Sequence, residues 1–513
     1  MTCHAGWCRA RRQVLNTLYT AAQCRQIDRL AIEQQRIPGF TLMARAGRAA
    51  FDCLLQAWPA LRSVTICCGR GNNAGDGYIV AALAREAGIG VQLLQVGDPA
   101  ELRGDAALAR DQALAAGVRI SVDWPAAAVG DVIVDALLGT GLRGALSEPF
   151  AEAVRWVNRA GRPVLAIDLP TGVDADSGAV TDPVVRADLT VTFIGRKLGL
   201  YTGPGVTAAG RREFFDLGVA AAVYRQVPGV PLLDYPALDG RWRLPARSAD
   251  AYKQSFGHVL VVGGDFSMGG APLMASEAAL RVGAGLVSTL TRGAHRPAIL
   301  ARRPEVMVVD ADDATARQAV LARATCLVIG PGLGRSAWGV RLLRESLAAA
   351  KPSVIDADGL QLLAALQLNP AGPVVATPHP GEAAALLGCR AQDVQQDRPA
   401  AILKLAGRLG GAVVLKGAGS LLAAAPAPGV APALLGVCAH GNPGMASAGM
   451  GDVLSGVIGG LLAQGMMPAT AAVAGTCLHS LAADRAAAQL GERSLLAMDL
   501  LPEIIALLAA EPR

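Results

Sequence analysis

From residue 63 onward, apolar runs of strand length alternate with segments whose apolar residues recur at helical spacing. The runs 63–68, 91–96, 131–137, 163–169 and 189–194 are continuously hydrophobic rather than alternating, which predicts strands covered on both faces. Between them, 78–87, 102–116 and 149–160 have helical spacing, so the pattern predicts βαβ units and a mostly parallel sheet. The pattern fades after Asp216, and 227–247, with Pro228, Pro231, Pro236 and Pro245, reads as a linker. A second series follows at 258–262, 286–291, 305–309, 326–329, 352–355, 374–377 and 412–415, again with helices between. Residues 423–433, with Pro426, Pro428 and Pro432, read as a loop or a short strand pair. The glycine-rich segments of the two series sit at different places relative to their strands, so the halves are distinct α/β domains rather than repeats.

A length of 513 residues agrees with two or more domains. Lys+Arg 47 against Asp+Glu 42 leaves +5, too weak a surplus to predict a nucleic-acid or anionic-membrane surface, so small-molecule partners are expected. Cys3, Cys24, Cys53, Cys326, Cys389, Cys438 and Cys477 are scattered, and Cys67 and Cys68 are adjacent in a predicted buried strand; they read as reduced core residues. Without a CxxC pair or clustered histidines, no zinc site is expected from local spacing. Arg9, Arg11 and Arg12 precede no apolar stretch of signal-peptide length, which reads as a cytoplasmic protein. Between Asp452 and Asp484 there is no charged residue, but Gly465 and Pro468 interrupt the stretch, and two buried helices meeting there are expected instead of a membrane span.

Residues 69–77 read GRGNNAGDG, after a predicted strand and before a helix expected to start near Tyr78. A strand-to-helix turn of this kind presents N–H groups to an anion such as phosphate, and Asn72, Asn73 and Asp76 add side-chain donors and acceptors. A plain tight turn is the competing reading. The dinucleotide fingerprint, with its acidic residue after the next strand, is not met. VDALLGTGLRG puts Asp135 ahead of Gly139, Gly141 and Gly144, and AIDLPTGVDADSG puts Asp168 ahead of Pro170 and Thr171. The carboxyl ends of parallel strands open on one crevice, so these three segments should converge, and Asn73, Asp135 and Thr171 then offer oxygen ligands for a hard cation.

In the second half the chain reads AHGNPGMASAGMGDVLSGVIGGLL around Asp452. Its GxGD turn, 449–452, opens an apolar helix and sets the positive end of the helix dipole beside a carboxylate. That suits phosphoryl transfer, with Asp452 taking the proton of an attacking hydroxyl; an acid placed in a first helical turn for the dipole alone is the competing reading. KGAGS at 416–420 follows a strand, where a flexible backbone can approach a phosphate and Lys416 can supply charge. PHPGE at 378–382 offers His379, and IGPGLG at 329–334, GGAPLMASEAALRVGAG at 269–285 and IDADGL, with Asp356 and Asp358, add further strand and helix ends.

GRGNNAGDG, VDALLGTGLRG, AIDLPTGVDADSG and TFIGRKLGLYTGPG resemble the signature segments of NAD(P)H-hydrate epimerase domains, and LYTAAQCRQIDRLAIE and LMARAGRAA are similar to that family's N-terminal helices. GHVLVVGG, GGAPLMA, GPGLG, IDADGL, TPHPGE, VLKGAGS, GNPGMA and GMGDVLSG, in that order, resemble the ADP- or ATP-dependent NAD(P)H-hydrate dehydratase domain. The resemblance implies a Rossmann-like three-layer domain over 1–226, a linker over 227–247, a ribokinase-like three-layer domain over 248–513, and a bifunctional isomerase and lyase that repairs hydrated NADH and NADPH. It implies potassium at Asn73, Asp135 and Thr171. Hydrate contacts are implied at Asn72, Asn73, Ala74, Gly75 and Asp76, at Gly139, Thr140, Gly141, Leu142, Arg143 and Gly144, and at Asp168, which is the candidate acid or base. In the second half it implies hydrate contacts at Ala271, Gly332, Gly334, His379 and Asp452, with Asp452 catalytic. ADP or ATP, with Mg2+, would meet Lys416, Gly417, Ala418, Gly419, Ser420 and Gly451, and a homo-oligomer is expected. Two positions depart from the family: Ala74 where Gly is usual, which would restrict the loop if that residue sits at positive φ, and Met450 where Ser or Thr is common. A ribokinase-like vitamin or sugar kinase fused to a non-catalytic dinucleotide-sensing domain is the alternative.

Overall fold

The computed structural model describes residues 16–126, 128–142, 144–425 and 430–510, and the chain divides into two compact units, Met1–Pro231 and Leu232–Arg513. Arg9, Arg11, Arg12, Cys3 and Arg143 lie outside the described residues. The first unit is built on a parallel sheet in the order Ile120–Ser121, Gly90–Gln95, Ser63–Cys68, Val132–Ala136, Val164–Ile167, Leu189–Phe193 and Arg211–Phe215. Successive side chains of a strand enter opposite cores. Ile66, Cys68, Val134 and Leu165 pack with the helices Gly39–Ala57, Asn72–Glu86 and Gly104–Ala115, whereas Cys67, Ile133, Val164 and Ala166 pack with Glu148–Arg159. Coverage on both faces explains why these strands carry no polar alternation.

Two details differ from the sequence pattern. The helix after the first glycine-rich segment begins at Asn72, not near Tyr78, with Gly71 as its N-cap. Its first turns hold glycines because they are pressed against neighbours: a Cβ at Gly75 would stand 2.5 Å from Met43 Sδ, and one at Gly77 would stand 2.6 Å from Ala136 Cβ. The strand Arg211–Phe215 was not anticipated, because its three charged residues followed by two partly exposed phenylalanines are those of an edge strand rather than a covered one.

In the second unit Met307–Asp310, Leu286–Thr291, His258–Val262, Cys326–Ile329, Ser353–Ile355, Val374–Ala376 and Ala412–Leu415 run parallel, and Leu421–Ala424 and Ala433–Cys438 continue the sheet antiparallel. The 423–433 stretch therefore joins two strands, with 426–429 outside the described residues. The helices Gly270–Arg281, Met450–Ala463 and Pro468–Leu490 share one core with Val259, Val328 and Val414. The last two of these helices meet at Gly465, at φ +93°, and Pro468, as the uncharged stretch predicts. Among the described residues no helix is long and apolar enough to cross a membrane. The expected linker is not free chain. Val230–Leu233 is a strand, and Leu233, Tyr235 and Leu238 are buried in the core of the second unit, because the apolar residues between its prolines outweigh the turn signals. The described cysteines are all free, and of them only Cys389 is exposed.

The helices Gly270–Arg281 and Met450–Ala463 touch backbone to backbone at Gly456, where a Cβ would stand 2.1 Å from the Ala275 carbonyl oxygen. Gly456→Val is expected to destabilise the second unit by about 1–3 kcal/mol or more through overpacking. Gly407→Ala, whose Cβ would meet Pro432 Cγ at an ordinary 3.6 Å inside a helix, is expected to stabilise it by about 0.4–1 kcal/mol. Calorimetric unfolding of the two variants checks both signs.

Candidate active sites

In the first unit the chain proceeds from Ser63–Cys68 to one side of the sheet and from Val132–Ala136 to the other, so the switch point lies between these neighbouring strands. Ligands of open α/β sheets bind at the carboxyl ends of such a pair. Asp135 stands there with no exposed surface. Its Oδ1 accepts from Leu137 N at 3.1 Å and from Thr171 Oγ1 at 2.8 Å, and its Oδ2 accepts from Thr171 N at 2.8 Å. Burial pushes its pKa up to about 6 against the pull of those hydrogen bonds. Thr171 Oγ1 also accepts from Leu138 N at 3.0 Å, which ties the two strand ends together. A Cβ at Gly139 would lie 3.4 Å from Asn73 Oδ1 and 3.4 Å from Asp168 Oδ2, so all three converging segments meet at this glycine.

Asp168 sits at φ +67°, and Leu169 N donates back to Ile167 O at 2.8 Å, closing a γ-turn of the strained, positive-φ kind around it. Its Oδ1 accepts from Lys197 Nζ and from Thr192 Oγ1, the latter at 3.3 Å. Lys197 is buried and also donates to Thr192 Oγ1 at 3.1 Å and Phe193 O at 2.8 Å. Burial alone would lower its pKa, but the Asp168 carboxylate outweighs that and holds it above the ordinary lysine value. Burial, with the nearby Asp168 charge, raises Asp76 well above the usual carboxylate range. The crevice thus sets a carboxyl whose charged form burial disfavours beside an ion-paired one. Asn73 is buried, and among the described residues its Nδ2 has no hydrogen-bond partner, so its N–H groups are available to a bound group. Asp135 and Thr171, bonded to each other, and Asn73, beside Gly139, each carry oxygen atoms of the kind a hard cation takes.

In the second unit Gly449, at φ +89°, caps the helix Met450–Ala463 and places Asp452 in its first turn. Beside that turn, Lys416 Nζ donates to Asp356 Oδ1 at 2.7 Å and lies 3.9 Å from Glu382 Oε2. A Cβ at Gly451 would stand 3.1 Å from Asp356 Oδ2 and 3.3 Å from Lys416 Nζ, so no side chain but hydrogen fits there without displacing the pair. Burial, followed by the Asp356 charge, pushes Asp452 up to about 7. Burial works to lower Lys416, yet Asp356 and Glu382 hold it above its ordinary value. Below the turn, the enclosed His479 is bonded to the Met450 backbone, and burial lowers its pKa to about 4. Asp358 Oδ2 accepts from Gly334 N at 3.0 Å, and a Cβ at Gly332 would touch Ala271 Cβ at 3.3 Å, so Ala271, Gly332 and Gly334 line one wall.

Residues 259–506 match a family model described as NAD(P)H-hydrate dehydratase, and residues 39–199 match one described as YjeF-related protein N-terminus. The bifunctional NAD(P)H-hydrate repair enzyme Nnr of Coxiella burnetii is 45% identical over 492 residues, covering 96% of this chain and 99% of that protein. The chain belongs to the bifunctional NAD(P)H-hydrate repair enzymes. The member of this family named Nnr in Escherichia coli K12 is 42% identical over 490 residues, covering 94% of this chain and 92% of that one. An ADP/ATP-dependent NAD(P)H-hydrate dehydratase from Bacillus subtilis, co-crystallized with ATP/Mg2+, is 27% identical with a TM-score of 0.47, covering 54% of this chain and 97% of that one.

Against the residues expected of a repair enzyme, the structure brings Asn73, Gly139 and Asp168 together, and Asp135 with Thr171, while Asp76 lies close enough to Asp168 to feel its charge. Asn72, Asn73, Ala74, Gly75 and Asp76 are helical rather than loop, and Ala74 is not at positive φ, so its Cβ imposes no backbone strain. Thr140, Gly141, Leu142 and Gly144 lie in partly or fully exposed chain. His379 caps the helix Pro380–Leu387, its Nδ1 accepting from Gly381 N at 3.0 Å, while its ring remains largely exposed. Lys416 does not hold its charge out for a phosphate, since Asp356 engages it. Lys197 was missed: it lies within TFIGRKLGLYTGPG, but nothing local marks it as a partner of Asp168, 29 residues away.

A base must be ionised to accept a proton, so kcat/KM of the dehydratase half is expected to fall about tenfold per pH unit below about 7 and to level off above it. Recovery of reduced-nicotinamide absorbance from hydrate and ADP across pH 5–9 reads this limb.

Proposed function

We propose that each unit carries one step of the repair of hydrated NADH and NADPH, with the residues in the following roles. The hydrate is a hemiaminal, so its ring C–O bond breaks with help from a proton at the departing hydroxyl. In the first unit the Asp76 carboxyl, whose pKa burial raises, and the Lys197-paired Asp168 carboxylate would serve as proton donor and proton acceptor. Burial favours the protonated form of Asp76, while Lys197 engages Asp168 as an ion pair, so the two can divide those tasks. Loss of water gives a planar iminium, and re-addition on its other face inverts the centre. Asn73, Asp135 and Thr171 would hold potassium, which supplies positive charge near the dinucleotide phosphates when bound. The residues 72–76 and 139–144 would contact the hydrate.

In the second unit Asp452 takes the proton of the hydrate hydroxyl, whose oxygen attacks the terminal phosphorus of ADP or ATP and displaces AMP or ADP; phosphate then leaves the ring carbon, pushed by the ring nitrogen lone pair, and loss of a proton from the adjacent ring carbon restores NAD(P)H. Ala271, Gly332, Gly334 and His379 would flank the hydrate. Lys416, Gly417, Ala418, Gly419, Ser420 and Gly451 would face the nucleotide, with Mg2+ entering on its phosphates. The observation that carries this reading is Asp452 itself: a carboxyl at a helix N-terminus, raised to about 7 and set beside the Lys416–Asp356 pair. A homo-oligomer working in the cytoplasm belongs to the same reading.

An epimer mixture of NADH hydrate with ADP is expected to recover its absorbance completely in potassium buffer. Asp452→Asn should abolish recovery, with a loss of about 100-fold or more in rate. Asp168→Asn should halt recovery once the epimer accepted by the dehydratase is consumed, and sodium buffer should slow only that second phase. Full recovery by either variant would refute the role given to that residue.

A further inference from the structure

The KGAGS loop rests on a buried cation to which the roles above give no part. Arg398 opens the helix Arg398–Leu409 with 0% exposure and heads the fully buried side chains by volume. Arginine is almost never enclosed to this degree unless its donors are answered. Its Nη1 donates to Gln395 Oε1 at 2.8 Å, and its Nη2 donates to the carbonyls of Leu415 and Lys416, each at 3.2 Å. These two carbonyls belong to the peptides that turn the strand Ala412–Leu415 into the loop. Gly417, at φ +131°, lies over the guanidinium, where a Cβ would stand 3.2 Å from Nη1.

The consequence follows from peptide geometry. In a planar trans peptide the C=O and N–H point in opposite directions. With the Lys416 carbonyl held down on Arg398, the Gly417 N–H is turned away from the guanidinium, on a residue that is itself exposed. The Lys416 N–H is already taken, donating to Pro378 O at 2.9 Å, and its ammonium is engaged by Asp356. Burial lowers Arg398 only to about 10, so it stays charged at neutral pH. The positive charge lying directly beneath the loop is therefore that of Arg398 and not that of Lys416.

We infer that Arg398 is the positioning residue of the nucleotide site: its guanidinium fastens the Leu415 and Lys416 carbonyls so that the Gly417 N–H faces a phosphate of ADP or ATP, and it sets a buried positive charge under that phosphate. This rests on the assignment of 416–420 to the nucleotide.

The test uses the full chain and steady-state KM for ADP and for NADH hydrate, measured separately. Arg398→Met is expected to raise the KM for ADP more than tenfold, and Arg398→Lys, which keeps a charge but loses the fork, by about tenfold, with the KM for hydrate within twofold in both. A KM for ADP within twofold of the unmodified chain, or both KM values rising together, overturns the inference. Arg398→Lys fills nearly the same space and decides the matter should Arg398→Met fail to fold, which its melting profile reveals. Gly417→Ala, which strains the loop directly, separates the two layers of argument. An unchanged KM for ADP there refutes the assignment of the loop, whereas a raised value there beside an unaffected Arg398→Lys refutes only the role of Arg398.

Discussion

Both units depend on the approach of one strand-end loop to another at a distance that admits no side chain. A Cβ on Gly69, just past the first strand of its sheet, would fall 1.8 Å from the Leu137 carbonyl oxygen. In the second unit a Cβ on Gly330 would fall 1.9 Å from the Asp356 carbonyl oxygen. These contacts draw the loops after adjacent parallel strands together over the sheet edge. Without the first, Asp135, Gly139 and Asn73 would not share a crevice. Without the second, Asp356 and Asp358 would not reach the Lys416 and Gly334 sides of theirs. Backbone packing comes first here, and the polar chemistry occupies the space it leaves.

The two crevices also solve a common electrostatic problem in the same manner. Each encloses a lysine against an aspartate, Lys197 with Asp168 and Lys416 with Asp356, and each leaves a further carboxyl nearby whose charge is disfavoured by burial. Such pairs add little net stability, since their desolvation cancels much of the Coulomb gain, but removing one member strands the other. Burial is the main cause that raises Asp76 and Asp452, and the aspartate of each pair adds to it while the lysine opposes it. A cation pinned by one carboxylate cannot fully neutralise a second, so one acid in each crevice keeps its proton more tightly than it would in water.

The parts of the fold that could be read from the sequence are those where a local pattern reflects burial. Ser63–Cys68, His258–Val262, Leu286–Thr291, Cys326–Ile329 and Ala412–Leu415 fall where the apolar runs put them, because a strand covered on both faces has no polar position to disguise it. The helix start at Asn72 was obscured: four glycines and two asparagines within the nine residues 69–77 look like turn, and what accommodates Gly75 and Gly77 in a helix is close contact with Met43 and Ala136, residues distant in sequence. The segment 227–247 misled for the converse reason, its prolines being local while the burial of Leu233 and Tyr235 is tertiary. Motifs placed the candidate acids, yet nothing in the motif that contains Lys197 shows that it pairs with Asp168, and Arg398, which holds the 416–420 loop, lies in no motif. Their partners are carbonyls and carboxylates brought close only by the sheet, and a carbonyl has no sequence signature at all.

The raised pKa of Asp452 also has a thermodynamic side. A carboxyl that holds its proton to about 7 when folded, but releases it near 4 when unfolded, makes the native chain bind the extra proton between those values. Folding stability from this residue therefore declines as pH climbs through that window. At the pH where Asp452 is ready to accept a proton, the fold is carrying an enclosed charge that it would hold more comfortably as an acid. The second unit is in this sense least relaxed once Asp452 has given up its proton.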